Sequence, residues 1–390
     1  MNIFNGKGSI KGLLKTAAVI SLAVAWIIGF SHRDDDILSV LNTSFPEGTQ
    51  IEKLSTVPLL LRADTEETKE PLYISVDKAQ GYGGPVVFAI VTDGSGTIKR
   101  TIVVKHRETF AWYRKLTRAR FFEQFTGKRI TDPFIAGSDI DTVSRATISS
   151  VAFTSAASKA SYSIGKKVLK LDVSRPVKTW KFGLKETALL LLYAVIIIGV
   201  SRKMRQLRYV TLAAGLVFLG FYASAPLSLA NISALMLGYV PSFMDNTFWW
   251  LLVAGTLLMT FLYGRNLYCL WLCPFGAIQE FTSKISDINI KLNRTFLKRI
   301  RYLPHVLVWA ALMMIFLSSN PCIASYEPFT TLFGLEGIGV QWYLLPLVII
   351  GSFLIKRFWC RFFCPVGILL QYTCRARHSL DKLIEGKGNG

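Results

Sequence analysis

Six apolar stretches, near residues 13–30, 186–200, 209–228, 247–264, 303–318 and 342–355, constrain this chain more than any other feature of its sequence. A bilayer crossing takes about 20 apolar residues in one helix, and several of these runs are shorter. Trp249, Trp250, Trp342 and Tyr343 stand at their edges, where aromatic rings suit the membrane–water interface and extend the span. Backbone groups find no water in hydrocarbon, so such segments cross as helices. The predicted fold class is an α-helical membrane protein with six transmembrane helices.

The basic residues say which way those helices run. The net charge is +20. Twenty-one Lys and Arg fall in the first fifteen residues, the loop 202–208, the segment 265–302 and the tail from 356, against none in 226–246 and 319–341. By the positive-inside rule both termini are cytoplasmic. This distribution excludes a nucleic-acid binder, whose basic residues would gather on one face. The first run, with Lys7, Lys11 and Lys15 before it, reads as an uncleaved anchor over 1–30; a signal peptide is the alternative. On either reading residues 31–182 are exported. The domains expected after them are a five-helix membrane domain over 183–374 and a cytoplasmic tail over 375–390, in the cytoplasmic (inner) membrane.

Residues 31–182 form an α+β extracytoplasmic domain. Leu72, Ile74 and Val76 alternate with more polar residues, as in a strand. Val86 to Val91 is continuously apolar, Asp93-Gly94-Ser95-Gly96 is a turn signal, and Ile98 to Val104 alternates in part; together they predict a hairpin. Residues 110–125 look helical. Asp141 to Ser150 leads into a run of small residues from Ala152 to Ser163. A helix with a Ser/Thr-rich start is either a capped surface helix or a place for a phosphate among free N–H groups.

All six cysteines follow residue 265. Cys269 and Cys273 lie in C-L-W-L-C-P-F-G, and Cys360 and Cys364 lie in C-R-F-F-C-P-V-G. Each copy follows an expected span, so the two form a parallel internal repeat of the kind that brings paired sites together. Cysteines at i and i+4 share a helix face, and the Pro ends the helix beside them. Two copies offer four thiolates, the ligand count of one [4Fe–4S] or [2Fe–2S] cluster. Zinc with four thiolates and plain buried thiols are the alternatives; a reducing cytoplasm excludes a structural disulfide. Cys322 and Cys374 have no paired spacing and read as structural. Among the four His only His305 lies at a span, which argues against a haem held by two of them; His32, His106 and His378 read as surface residues.

Three segments carry a resemblance. Asp141-Thr142-Val143-Ser144-Arg145-Ala146-Thr147 resembles the flavinylation motif D-x-x-[S/T]-G-A-T of exported FMN-binding domains, with Arg145 at the place of the usual Gly. Gly81-Tyr82-Gly83-Gly84-Pro85 resembles the G-Y-G-G-P start of that domain, and His106-Arg107-Glu108-Thr109 its H-x-E-T segment, with Phe110-Ala111 where the family has Pro-Gly. The resemblance implies FMN joined by a phosphoester to Thr147 by a flavin transferase. It places Asp141, Ser144, Ala146, Gly83, Gly84, His106, Glu108 and Thr109 around the flavin.

An outer FMN domain, membrane helices and two C-x3-C-P motifs in this order resemble the NosR/NirI family, in a short PceC-like layout; longer members continue into a cytoplasmic ferredoxin domain not seen in this sequence. The family implies an electron-transfer flavoprotein between the quinone pool or a cytoplasmic donor and an extracytoplasmic respiratory reductase, or the maturation of that reductase. A redox-sensing regulator is the second reading. One expectation sits uneasily with the first: a flavin outside and thiols near the inner face are separated by roughly 30 Å of hydrocarbon.

Overall fold

A computed structural model describes residues 6–31, 37–64, 70–173, 182–244, 246–286, 288, 290, 292–324, 326–337 and 339–387. The chain begins with α1 (Gly6–Ser31) and α2 (Ile37–Thr43). Five strands follow, β1 (Gln50–Ser55), β2 (Leu59–Asp64), β3 (Leu72–Gln80), β4 (Pro85–Thr92) and β5 (Ile98–His106). Then come α3 (Phe110–Arg118), α4 (Thr147–Ile164), α5 (Leu184–Ser201), α6 (Arg205–Gly215), α7 (Leu229–Met236) and α8 (Thr247–Tyr263). The remainder is α9 (Pro274–Ile285), α10 (Arg294–Ile300), α11 (Leu303–Ser318), α12 (Phe329–Gly334), α13 (Val340–Leu354), α14 (Phe358–Phe362) and α15 (Pro365–Lys387). Two compact units result: His32–Trp180 with Ala234–Asp245, and the rest of the chain.

The first unit is built on a five-stranded antiparallel sheet in the order β1-β2-β3-β4-β5. The expected hairpin is β4–β5, closed by a turn in which Asp93 Oδ1 accepts the N–H groups of Ser95 and Thr97 at 2.9 and 3.0 Å. The continuous apolar run in β4 has a tertiary cause, since a strand covered on both faces has no polar side. Ala89 and Val91 join Leu41, Leu61, Ile74 and Val76 in one core. Phe88 points the other way, against Phe122, Phe125 and Phe153. The helix expected over 110–125 breaks after Arg118: Arg120 takes a left-handed φ of 52° and a 3-10 turn, Phe121–Phe125, follows. That break turns Phe121 and Phe125 into the core, where both are fully buried.

The second unit is helical. Among the described residues three helical segments are long and apolar enough to cross a membrane by length and composition: Gly12–Ser31, Leu184–Ser201 and Arg294–Ser318. The other expected crossings are shorter or change helix type. Thr247–Tyr263 and Val340–Leu354 are apolar but shorter, and α6 passes into a π-helical stretch, Leu216–Tyr222.

α1 packs along α11, with Trp309 donating to Ser21 Oγ at 3.0 Å and Ser319 donating to the Gly29 carbonyl at 2.7 Å. A Cβ at Gly29 would stand 1.7 Å from the Phe316 carbonyl oxygen, so the approach requires a residue without one. The two C-x3-C-P repeats interlock: α9 packs on α13 and α15 packs on α8, each against the hairpin of the other copy. α15 continues unbroken through residue 374, where a separate tail was expected to begin.

Candidate functional site

Two constellations stand out, one in each unit. In the sheet unit, three separated segments meet at Glu108. This carboxylate is 3% exposed, and its Oε1 accepts the Tyr82 N–H at 2.8 Å. Ser149, in the first turn of α4, and the Gly83 N–H lie near enough to favour its charged form, but burial outweighs them and pushes the carboxyl up to about 7. Its Oε2 is buried without a hydrogen bond among the described residues. Gly81 makes this seat possible, since a Cβ there would be 1.7 Å from Oε1. Gly84 does the same for the next residue, as a Cβ would meet Arg107 Cβ at 2.7 Å.

His106 stacks on Tyr113 with ring centroids 3.8 Å apart, and its Nδ1 is buried without a partner among the described residues. Burial lowers its pKa, so the ring is neutral. The ring is half-buried and packed on Tyr113, not the free surface residue that composition predicts. Thr109 is buried at the start of α3, where its carbonyl accepts from Trp112 and Tyr113. Arg107 lies over the Tyr239 ring at 4.4 Å.

α4 begins at Thr147, half-buried, with Ala146 as the preceding cap residue and no side-chain capping bond. The expected Ser/Thr cap is absent because Ala146 stands at the cap position; Ser150, inside the helix, accepts from the Val143 N–H at 3.1 Å and donates to the Ala146 carbonyl at 3.0 Å. The first-turn N–H groups beside Thr147 thus have no side-chain acceptor of the capping kind, the arrangement an anionic phosphate suits. Arg145, at the usual Gly position, has φ +67°. The left-handed turn that glycine would make freely is still made, at a cost of order 1 kcal/mol or more. Asp141 and Ser144 are exposed; the Asp141 backbone exchanges hydrogen bonds with the Gln124 side chain. The structure gathers Gly81–Gly84, Glu108 and the first turn of α4, and gives neither Asp141 nor Ser144 a contact with Glu108.

In the helical unit, Cys269, Cys273, Cys360 and Cys364 line one cavity with Leu227, Tyr268, Phe275, Phe329, Trp359 and Val366. The Pro of each motif does more than end a helix. Pro274 and Pro365 each open a new one, α9 and α15, as proline at the first helical position does. Cys273 is the cap residue of α9, its Sγ accepting the Gly276 N–H at 3.4 Å, and Cys364 Sγ accepts the Gly367 N–H at 3.4 Å. Cys269 lies in a π turn, Tyr268–Leu272, while Cys273 is extended, so the pair does not share one helix face as spacing predicts.

Gln279 ties the repeats together. Its Nε2 donates to Cys360 Sγ at 3.3 Å and its Oε1 accepts the Trp359 N–H at 2.8 Å. Behind it, Glu280 is paired with both Arg208 and Arg357, the latter through Nη2 at 2.6 Å. Nothing in the spacing of the sequence marks Gln279, which acts on the opposite repeat.

These residues suit an iron–sulfur cluster by their chemistry. Four free thiols converge, amide donors already point at three of the sulfurs, and the buried Trp359 Nε1 has no partner among the described residues. Among the described residues no three His, Cys, Asp or Glu side chains are grouped to hold a metal ion. Zinc needs its ligands around one ion, whereas a cluster sets iron and sulfide between them. Cys374 is buried and Cys322 half-buried, and neither lines the cavity. His305 packs edge-on to Tyr372, 6.0 Å away; His32 lies outside the described residues.

The cavity also holds a surprise for topology. Leu227 and Phe329 belong to the segments free of basic residues, yet they share its wall with the cysteines. The Leu227 N–H donates to Tyr268 Oη at 2.9 Å, and Tyr326 donates to the Phe363 carbonyl at 2.8 Å.

Comparison with known proteins agrees with both constellations. The family described as FMN-binding domain matches residues 81–161, and the one described as 4Fe-4S binding domain matches 245–295 and 343–381. The regulatory protein NosR of Pseudomonas aeruginosa is 32% identical over 228 residues, 51% of this chain and 30% of that protein. Protein NirI of Paracoccus denitrificans is 29% identical over 209 residues, 49% of this chain and 31% of that protein. The methylamine utilization ferredoxin-type protein MauN of Methylobacillus flagellatus is 27% identical over 123 residues, 30% of this chain and 42% of that protein. The matches thus span about a third of the NosR and NirI relatives. An FMN-binding domain and a 4Fe-4S binding domain are matched in one chain of apolar helices, which is similar to NosR and NirI over about half of its own length.

Proposed function

We propose that the chain is a membrane electron-transfer flavoprotein with covalent FMN at Thr147 and one [4Fe–4S] cluster held by Cys269, Cys273, Cys360 and Cys364. The observation that carries the reading is the pairing of two redox-type sites in one chain: three flavin-domain segments meeting at Glu108, and four thiols meeting in one cavity. When bound, FMN supplies the conversion between two-electron and one-electron traffic, and the cluster supplies one-electron steps.

The chain's own residues then have defined tasks. Thr147 offers the hydroxyl for attachment at a helix start that favours phosphate. Glu108, largely protonated below about pH 7, offers a hydrogen-bond donor in a buried seat, and His106 stays neutral beside it. Gly276, Gly367 and Gln279 donate to cysteine sulfurs and so steady them as thiolates.

In this reading six helices cross the inner membrane, both termini are cytoplasmic, and the FMN domain is extracytoplasmic. Packing of α1 against α11 supports a retained anchor. Leu227 and Phe329 beside the cysteines support a centre lying within the bundle, which shortens the gap of roughly 30 Å between the two faces. The partners are a flavin transferase, a quinone or cytoplasmic donor, and an extracytoplasmic reductase of anaerobic respiration. A redox-sensing regulatory role is the second reading, favoured by the printed name "Regulatory protein NosR" of a relative.

The test is a denaturing gel of protein co-expressed with a flavin transferase, with iron and sulfide analysis of the native sample. Wild type fluoresces and carries about four irons; Thr147→Ala is dark but keeps its iron; Cys360→Ser keeps its flavin and loses nearly all its iron. A dark wild-type band sinks the flavin assignment. Donor-to-reductase electron flow that survives Cys360→Ser would favour the sensor.

A further inference from the structure

The helical unit holds two buried glutamates near its cysteines, and only one has a cation. Glu280 is 1% exposed and paired with Arg208 and Arg357. Glu327 is also 1% exposed. Among the described residues both its oxygens lie 3.0 Å from a single donor, the Leu229 N–H at the start of α7, and no Lys or Arg interaction reaches it.

Its surroundings lead to the cysteine cavity on two sides. Leu227 and Phe329, each two residues from one end of the Glu327–Leu229 contact, line that cavity. Tyr326 bonds the carbonyl of Phe363, next to Cys364, and its ring lies 5.8 Å from that of Trp359. Tyr326 and, beyond Leu227, Tyr268 are the titratable groups set beside it other than the four thiols. α7 and α12 carry no charged residue, and Arg361 on α14 is exposed.

A buried carboxylate with one neutral donor is costly when charged. An electron added nearby in a low-dielectric interior makes it costlier still, because like charges repel there with little screening. We propose that Glu327 is a proton acceptor that balances electron arrival at the four-cysteine centre, making this a proton-coupled one-electron site. The step balances simply. The centre gains one electron from a one-electron donor, dithionite in the assay, and no protein bond breaks; one proton from water forms an O–H bond on Glu327. Burial raises the carboxyl's proton affinity in the same sense. Ser228, just before α7, donates to Asn231 Oδ1 in its first turn at 2.9 Å, and the two add polar atoms to this apolar surrounding. The inference rests on the cluster reading given above.

The test is a potentiometric titration of the full chain with its cluster, followed by electron paramagnetic resonance at several values between about pH 6 and 10. Iron and sulfide are measured first. In wild type the midpoint potential falls by up to about 59 mV for each tenfold drop in proton concentration. Glu327→Gln keeps its cluster and loses the slope, and Glu327→Asp restores it. Wild-type protein also gains the C=O infrared band of a protonated carboxyl on reduction, a signature that capping of α7 alone would not produce. A loaded wild type with a pH-independent potential and no such band overturns the proton site while leaving the cluster standing, even where Glu327→Gln fails to fold. A wild type without cluster iron overturns both.

Discussion

Glu108 and Glu280 are both buried carboxylates, one in each unit, and they are held in opposite ways. In the sheet unit Glu108 meets only neutral partners, the Tyr82 N–H and the neighbouring Ser149 and Gly83. In the helical unit Glu280 meets two guanidiniums. A sheet domain has tight glycine turns whose free N–H groups can turn inward. Within a helix the backbone donors are already used along the axis, so a buried acid there either takes a side-chain cation, as Glu280 does, or a free N–H at a helix start. The contrast teaches where each site keeps its fixed charge. The flavin-side seat is neutral and protonatable, and the cysteine-side girdle is charged and permanent. Glu327, capped by one helix-start N–H, stands between the two patterns.

The comparison breaks hardest at the girdle. Glu280→Ala leaves Arg208 and Arg357 facing each other without a counter-charge, and removing one partner of a buried pair costs about 3–5 kcal/mol. Thermal unfolding in detergent should show that loss, with α6, α9 and the Arg357 loop opening together. A variant within about 1 kcal/mol of wild type would mean that the girdle is solvent-screened and the contrast false.

The neutral seat is tested by pH. The Glu108 carboxyl is raised from 4.5 to about 7 by burial, so the folded state binds the proton more tightly than the unfolded one. The stabilisation is full below 4.5 and disappears as pH rises to about 7, a total of about 3 kcal/mol. His106, lowered by burial, works in the other sense and loses stability as pH falls. Glu108→Gln separates them: unfolding of the sheet unit in the full chain should lose its decline between these pH values. An unchanged profile would place the titration elsewhere.

The smallest effect concerns the turn before α4. Arg145 holds φ +67°, and Arg145→Gly relieves that strain at an entropic cost of about 0.5–1 kcal/mol, for a net gain of at most about 1 kcal/mol. The measurement is the same unfolding curve. A loss of stability would show that the Arg side chain itself holds the turn.

Much of this was legible in residue order. Alternation and the Asp93–Gly96 turn announced β4 and β5, and the repeated C-x3-C-P announced four thiols in two pairs. What spacing misjudged was local geometry. It treated Pro274 as a stop, when proline at a first helical position also starts α9 with Cys273 as its cap. It expected one helix over 110–125, when the aromatic rings had to reach Phe88 and Phe153. It left β1, β2 and Gln279 unread, because two short strands whose burial does not alternate and a cross-repeat hydrogen bond leave no periodic trace. An acid in a segment without basic residues was the one available sign of Glu327.

The sequence by itself determined what is short-ranged or additive: the apolar runs, the charge asymmetry between loops, the ligand types and their pairing, and the resemblance to FMN-binding and 4Fe-4S binding domains. The tertiary structure decided what depends on residues far apart in the chain. It set Glu108 against Gly81 and Ser149, Gln279 against Cys360, and Glu327 against Leu229. Burial and partnering belong to the packed interior, and an acid's charge follows from them; no count along the chain specifies which neutral N–H or which arginine will be there.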